Sequence, residues 1–220
     1  MTQRRDFLQT LSLMGLSLPA ITKALASRSS NTNAAGGQAM IMCSRDEYWA
    51  KKVLPPAWAA YQASGQILDG IEAGGNVCEL DPEDTSVGYG GLPDENGIVT
   101  LDASFMYGPT HKCGSVAALE NIKKACSVAR LVMERTDHAL IVGEGALAFA
   151  KAHGFPEENL LTEQARLTWL EWKENLSKDD DWLPPADKDY YKKLRKRGTI
   201  NVLGMSDAGE VAGSTTTSGL

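Results

Sequence analysis

The chain has 220 residues, of which 43% are hydrophobic and 23% charged, as in ordinary globular proteins. Its formal net charge of -6 argues against a nucleic-acid-binding protein, because that class usually carries a basic surplus. The four cysteines lack C-x-x-C spacing and only three histidines accompany them, so neither a zinc site nor any other metal is expected. We expect the cysteines to be small core residues, although the spacing leaves a disulfide open.

The N-terminal residues predict a targeting segment. Arg4 and Arg5 precede an apolar stretch, and "ALAS" supplies a small-x-small cleavage site that ends at Ala26. Residues 1–26 are therefore interpreted as a twin-arginine signal peptide, with an ordinary secretory signal or a short anchor as the alternative. Its removal takes away three positive charges and one negative charge, which leaves -8. We expect export to the periplasm or medium, and a flexible leader at 27–38.

The first half of the remaining chain predicts a strand, two helices and a β-hairpin. The apolar run 39–44 indicates a buried strand, and helices are expected at 55–65, after a proline pair, and at 67–75. Within 85–108, "SVGYGG" and "IVTLDASFM" are strand-like and flank the turn "LPDENG". The second of these strands alternates strictly, and its apolar face consists of Val99, Leu101, Ala103 and Phe105.

The second half predicts mainly helices and a final pair of strands. Apolar residues at three- and four-residue steps indicate an amphipathic helix over 114–136. A strand, a glycine turn and a helix are expected in 138–154. A further helix is expected over 160–176, with Leu167, Trp169 and Leu170 as core contacts.

The charged segment 177–198 predicts a mobile, solvated loop, and two strands follow it around "SDAG". Adjacent antiparallel strands layered with helices make α+β the expected fold class.

The junction Gly198-Thr199, between that loop and a strand, permits a specific chemistry. A threonine hydroxyl becomes a nucleophile when a base removes its proton. Cleavage before Thr199 would free an α-amine, whose pKa of about 7.7–8.0 suits that task. The hydroxyl could make the cut itself, and Gly198 tolerates the strained backbone involved. On spacing alone, an ordinary strand start remains the alternative.

Four segments carry a resemblance to a known family: "DGIEAGGNVCE", "SVGYGGLPDENGIVTLDASFMYG", "VAALENIKKACSVARLVMERTDHALIVGEGALAFAKAHGF" and "GTINVLG…TTTSGL". From about Ala39 to Leu220 the chain resembles the glycosylasparaginases of the N-terminal nucleophile (Ntn) hydrolase superfamily. The resemblance implies a four-layer αββα sandwich and self-cleavage into an α-subunit (39–198) and a β-subunit that begins at 199. It also implies hydrolysis of the N4-glycosyl-asparagine amide bond, without a cofactor.

The same resemblance assigns residues. It implies that Thr199 is the nucleophile, that the hydroxyl of Thr217 positions it, and that Ser86 lies near the scissile Gly198-Thr199 bond and takes part in processing. For Thr217 and Ser86 a structural hydroxyl remains the alternative.

The chain also departs from the family's pattern. Arg197-Gly198 stands where many members have His-Asp, and the family's pocket tryptophan has no clean match near Cys43 or Ser44.

The family's substrate-gripping Arg and Asp, and its Thr-Gly oxyanion hole, are expected beyond Leu220. The 220-residue chain is therefore interpreted as an incomplete sandwich that is truncated in the β-subunit and is inactive by itself. The expected partners are a small-molecule amide and the chain's own β-subunit in an (αβ)2 assembly, with neither nucleic acid nor, for the mature form, a membrane. The alternatives are an isoaspartyl peptidase or L-asparaginase that uses the same Thr199, and a non-catalytic exported remnant that acts as a binding module.

Overall fold

The computed structural model describes residues 37–174 and 198–218 of the chain. The predicted signal peptide, almost all of the predicted leader and most of the charged loop lie outside these residues. In the part of the chain that is described, no helix is long and apolar enough to cross a membrane.

The described residues form one mixed sheet and several helices, which confirms the α+β class. The strand order is β1-β5-β6-β2-β3-β4, with antiparallel pairing throughout except between β3 and β4. The strands are β1 Met40–Cys43, β2 Thr100–Tyr107, β3 Lys112–Glu120, β4 Ile141–Val142, β5 Thr199–Met205 and β6 Val211–Ser218. The helices are α1 Glu47–Ser64, α2 Ile67–Glu79, α3 Ala125–Arg135, α4 Gly143–Ala152 and α5 Glu163–Glu174.

One face of the sheet is buried against helices. Helix α2 packs on β5 and β6, and α3 packs on β2 and β3. Because side chains alternate along a strand, every second residue of each central strand enters this core. The predicted apolar face of β2 is confirmed, since its four residues are at most 5% exposed. The core-facing residues of the other central strands include Val116, Leu119, Ile200, Val202, Ala212 and Thr216.

The opposite face, here called the open face, is polar at one end and apolar at the other. The rows that contain Thr199 and Asn201 carry mostly hydroxyl, amide and carboxylate side chains. Toward the other end of β5 and β6 the face carries large apolar side chains that are 43–61% exposed, namely Met40, Met42, Met106, Leu203 and Val211.

The helix predicted over 114–136 is wrong in its first half, where the chain forms strand β3. A β-bulge explains the error. Leu101 pairs with Leu119 but Ala103 pairs with Val116, so β3 carries one extra residue, and Ala118 has a φ of 48°. The bulge therefore separates two core-facing residues by three positions, the spacing that indicates a helix.

The hairpin predicted over 85–108 is also wrong. Residues 86–91 form turns rather than a strand, and β2 pairs with β3 and β6 instead. Gly88 has a φ of 63°, and an added Cβ would lie 2.4 Å from the Glu79 backbone, so this segment crosses directly over the end of α2.

Several boundaries and burial predictions also need correction. Helix α1 begins at Glu47, capped by Asp46, and contains the prolines that were expected to start it. Strand β1 was expected to be buried but is half exposed. It lies at the edge of the sheet, and its Met40 and Met42 side chains are on the open face. In α5, Leu167 and Leu170 are 49% and 40% exposed, whereas the Trp169 ring packs against Gly97.

The expected core role of the cysteines holds for two of the four. Cys78 and Cys126 are buried, Cys43 is partly exposed and Cys113 is exposed, and all four are free thiols. Burial raises the pKa of Cys78 to about 12 and that of Cys126 well above its ordinary value. These two cysteines therefore stay protonated near neutral pH and are not nucleophiles.

A fully buried carboxylate joins the two central helices to the sheet. Glu79, the last residue of α2, accepts hydrogen bonds from the Cys126 N–H at 2.7 Å and from the Thr216 hydroxyl at 2.6 Å. Helix α3 has no side-chain cap at Lys124, so Glu79 caps it from outside. Burial raises the pKa of Glu79 to about 7, although both hydrogen bonds oppose that shift.

Glu79 should make the stability of the protein depend on pH. Its pKa is higher in the folded protein than the ordinary value of 4.5, so the unfolded chain ionises first as pH rises. The stabilising contribution is therefore complete below pH 4.5 and is lost on passing pH 7, a change of about 3 kcal/mol. Glu79→Gln keeps an oxygen for both donors and cannot ionise. In denaturant unfolding at pH 4.5–8, the free energy of the variant should therefore fall less steeply than that of the parent.

The matched control is Glu95→Gln, which neutralises an exposed carboxylate and should leave the profile unchanged. A constant difference between Glu79→Gln and the parent at every pH would show that Glu79 does not titrate in this way.

Candidate active site

The hairpin of β5 and β6 brings two threonines together at the polar end of the open face. Thr199 is the first residue of β5 and pairs with Thr217. The Thr199 hydroxyl donates to the Thr217 hydroxyl at 3.2 Å. The Thr217 hydroxyl also lies 3.2 Å from the carbonyl oxygen of Gly198 and 3.1 Å from that of Ser218. One hydroxyl thus touches both the candidate nucleophile and the carbonyl that it would attack.

These contacts have the polarity that an internal attack requires. A hydroxyl has one proton to donate and lone pairs to accept with. Thr217 can therefore accept the proton of Thr199 while donating its own to the Gly198 carbonyl oxygen. Both distances exceed the usual 2.7–2.8 Å for O–H···O bonds, and such contacts commonly shorten as the reaction proceeds.

Ser86 packs directly against the residue that precedes Thr199. A Cβ added to Gly198 would lie 2.5 Å from the Ser86 hydroxyl oxygen and 2.9 Å from its Cβ. Ser86 is 8% exposed, and its carbonyl oxygen accepts from the Ser218 N–H at 3.0 Å. The four predicted site residues therefore lie together, and only glycine fits at 198 without displacing Ser86.

Two charged residues that were not predicted from the sequence hold Ser86. The Ser86 hydroxyl donates to Asp84 Oδ1 at 2.5 Å and accepts from Arg45 Nη2 at 2.9 Å. Arg45 Nη1 lies 3.1 Å from Asp84 Oδ2, and the two side chains are 12% and 4% exposed. The spacing Asp-x-Ser is typical of an Asx-turn and could have indicated Asp84, whose carboxylate also accepts the Ser86 N–H at 3.0 Å. Arg45 has no such local signal.

A cavity of about 430 Å³ opens beside this group. Arg45 lies over the ring of Trp49, at 5.1 Å from the ring centre, and both line the cavity. Other lining residues include Asp84, Ser86, Gln164 and Gly198. In the part of the chain that the structure describes, no group of three or more His, Cys, Asp or Glu side chains could hold a metal ion.

A second polar row lies next to the threonine pair on the open face. The Thr215 hydroxyl donates to Asn201 Oδ1 at 2.5 Å. The Ser44 hydroxyl oxygen accepts from the backbone N–H of Asn201 at 3.0 Å and from its side-chain amide at 3.3 Å. Ser44, one of two residues near the expected pocket position, therefore contacts the strand that begins with Thr199.

The chain is similar in sequence to known proteins. A family model described as asparaginase matches residues 33–220. The chain is 42% identical over 164 residues to an N(4)-(β-N-acetylglucosaminyl)-L-asparaginase of Elizabethkingia miricola, across 74% of this chain and 45% of that protein. It is 40% identical over 132 residues to the protein of that name from Mus musculus, across 60% of this chain and 38% of the relative.

The chain is also 33% identical over 190 residues to the Rattus norvegicus protein of that name, across 77% of this chain and 55% of the relative. It thus spans about half the length of the curated relatives that it matches. The family model covers the whole chain after the predicted signal peptide and leader, including every candidate site residue. The chain therefore belongs to the asparaginase family, which confirms its predicted relationship to the glycosylasparaginases.

Proposed function

We propose that the protein is a self-cleaving amidohydrolase that hydrolyses the N4-glycosyl-asparagine amide bond with Thr199 as its nucleophile. The observation that carries this proposal is the position of the Thr217 hydroxyl, 3.2 Å from both the Thr199 hydroxyl and the Gly198 carbonyl oxygen. The names of the relatives support the substrate class.

The first reaction is an acyl shift within the chain. The Thr199 hydroxyl oxygen bonds to the carbonyl carbon of Gly198, and its proton passes to Thr217 while Thr217 protonates the carbonyl oxygen. The C–N bond then breaks as the carbonyl re-forms, the proton on the carbonyl oxygen passes to the leaving nitrogen, and an ester joins Gly198 to the Thr199 oxygen. Water hydrolyses this ester, which leaves a carboxylate on Gly198 and a free α-amine and hydroxyl on Thr199.

The second reaction uses the new N-terminus on the substrate. The α-amine of Thr199 has an ordinary pKa of about 7.7–8.0, so a large fraction is unprotonated at slightly alkaline pH. It accepts the hydroxyl proton as the oxygen attacks the side-chain amide carbon of the substrate. The substrate's glycosylamine leaves with that proton, and water then hydrolyses the ester between the substrate acyl group and Thr199. The hydrogen bond between the Thr199 and Thr217 hydroxyls keeps the Thr199 oxygen oriented through both reactions.

The uncovered sheet face supports the finer αββα architecture. Met106, Leu203 and Val211 are 48–61% exposed on the open face, more apolar surface than a sheet normally leaves in water. We propose that a second sheet of the complete protein packs there, with αβ units paired as (αβ)2. We further propose that the protein leaves the cytoplasm by the twin-arginine pathway.

The test uses protein expressed from the complete reading frame. Intact mass and N-terminal sequencing should reveal two polypeptides, with the second beginning at Thr199. The cleaved protein should release aspartate from glycosyl-asparagine faster than from a β-aspartyl dipeptide or from asparagine. Faster turnover of the last two would favour an isoaspartyl peptidase or L-asparaginase. An uncut chain without turnover would overturn the proposal in favour of a binding module.

A further inference from the structure

Ser86 lies between two groups with opposite hydrogen-bonding capacities. A carboxylate can only accept hydrogen bonds and a guanidinium can only donate them. Because the Ser86 hydroxyl donates its hydrogen bond to Asp84 Oδ1 at 2.5 Å, it cannot donate to any other acceptor. Because Arg45 donates to the same oxygen at 2.9 Å, one of its two lone pairs is also occupied. One lone pair of Ser86 remains.

This remaining lone pair belongs to an oxygen that lies against the predicted scissile junction. A Cβ on Gly198 would lie 2.5 Å from the Ser86 oxygen and 3.2 Å from Arg45 Nη2, so nothing separates the three residues. With its proton committed to Asp84, Ser86 cannot donate to the Gly198 carbonyl oxygen. It can only accept from an N–H group of the junction, such as the amide nitrogen of Thr199 before cleavage or its α-amine afterwards.

We propose that Arg45 and Asp84 are positioning residues that fix Ser86 as a pure hydrogen-bond acceptor at the Gly198–Thr199 junction. This inference rests on the proposed self-cleavage. The two threonine hydroxyls transfer the proton on the oxygen side of the scissile peptide, and Ser86 serves its nitrogen side. The ion pair of Arg45 and Asp84 thereby keeps donation and acceptance on different residues, since Thr217 donates to the carbonyl oxygen and Ser86 accepts from the nitrogen.

Burial of Arg45 and Asp84 keeps the hydrogen-bond partners of Ser86 fixed. With side chains 12% and 4% exposed, water cannot readily replace either partner of Ser86. The Arg45 guanidinium is also held over the Trp49 ring at 5.1 Å, which restricts its rotation. Hydrogen bonds to charged groups are stronger than those between neutral groups, so the orientation of the Ser86 hydroxyl is well defined.

The test is a double-mutant cycle on the rate of self-cleavage, measured in complete protein. Arg45→Gln keeps a planar polar end but loses the positive charge that holds both the Ser86 oxygen and the Asp84 carboxylate, so Ser86 is positioned less firmly at the junction. It should slow cleavage about tenfold or more, the effect of losing one hydrogen bond to a charged group. Arg45→Lys, which can only donate, should restore most of the rate.

The decisive comparison is made without Ser86. In a Ser86→Ala background, which itself slows cleavage, Arg45→Gln should add no further slowing, because the residue through which Arg45 acts is gone. A further loss equal to that in the parent would overturn the inference and indicate a purely structural role. If Arg45→Gln fails to fold, a double variant takes its place in the cycle. That variant combines Arg45→Gln with Asp84→Asn and so removes both buried charges together. Failure of the parent itself to cleave would overturn the proposed function as well, whereas cleavage with additive effects would overturn this inference alone.

Discussion

Replacing Thr199 with alanine should leave the chain in one piece and eliminate hydrolysis of glycosyl-asparagine. The substitution removes the hydroxyl at the start of β5 that lies 3.2 Å from the Thr217 hydroxyl. Without it, neither the acyl shift nor attack on the substrate has a nucleophile, so the loss should be complete within detection. Intact mass spectrometry after prolonged incubation measures the first effect, and release of aspartate measures the second.

The control for Thr199 is the conservative change to serine, which retains a hydroxyl and should still cleave at the same bond. Thr199 is exposed, so both variants should unfold within about 0.5 kcal/mol of the parent in denaturant. If Thr199→Ala yields two polypeptides with the parental masses, apart from the substituted residue, another group makes the cut.

Thr217→Val should slow self-cleavage by about 10²–10³-fold, the usual cost of removing one donor from a developing oxyanion. Valine has nearly the same shape as threonine and favours strands equally, so β6 should keep its pairing with β5 and β2. What disappears is the hydroxyl that lies 3.2 Å from both the Thr199 oxygen and the Gly198 carbonyl oxygen. A time course of the fraction cleaved measures the rate.

Thr100→Val is the matched control for Thr217. Thr100 begins β2, is half buried and pairs with Glu120 of β3 rather than with a residue of the junction, so the same change should leave cleavage unaffected. Thr217→Ser should recover much of the rate, because it restores the oxygen. Equal slowing in Thr100→Val and Thr217→Val would attribute the effect to strand packing rather than to proton transfer.

The sequence predicted well the parts of the fold that depend on local pattern. Strict alternation identified β2 with its correct buried face, and the glycine-containing turn between 199–205 and 210–218 identified the final hairpin. That hairpin alone brings Thr199 and Thr217 together, so half of the candidate site could be predicted from adjacent strands. Ser86 could be assigned only through the family resemblance, because its contact with Gly198 joins distant parts of the chain.

The failures have identifiable physical causes. The bulge at Ala118 gave β3 the residue spacing of a helix. The Ala118 backbone N–H instead donates a hydrogen bond to the Asp102 carboxylate at 2.8 Å. Such compensation depends on tertiary structure and leaves no periodic signal. Arg45 and Glu79 were missed for the same reason, since each acts on partners that only the folded chain brings close.

Under the proposed self-cleavage, the contact between Gly198, Ser86 and Arg45 would also set when the chain can be cut. The three residues come from the bend after β1, the turn after α2 and the position just before β5, so the junction forms only once these distant segments have met. A newly made or misfolded chain has all the reacting atoms but lacks their arrangement. Scission would then report that folding is complete, and the uncut fraction in a preparation would measure how much of the protein never reached the native state.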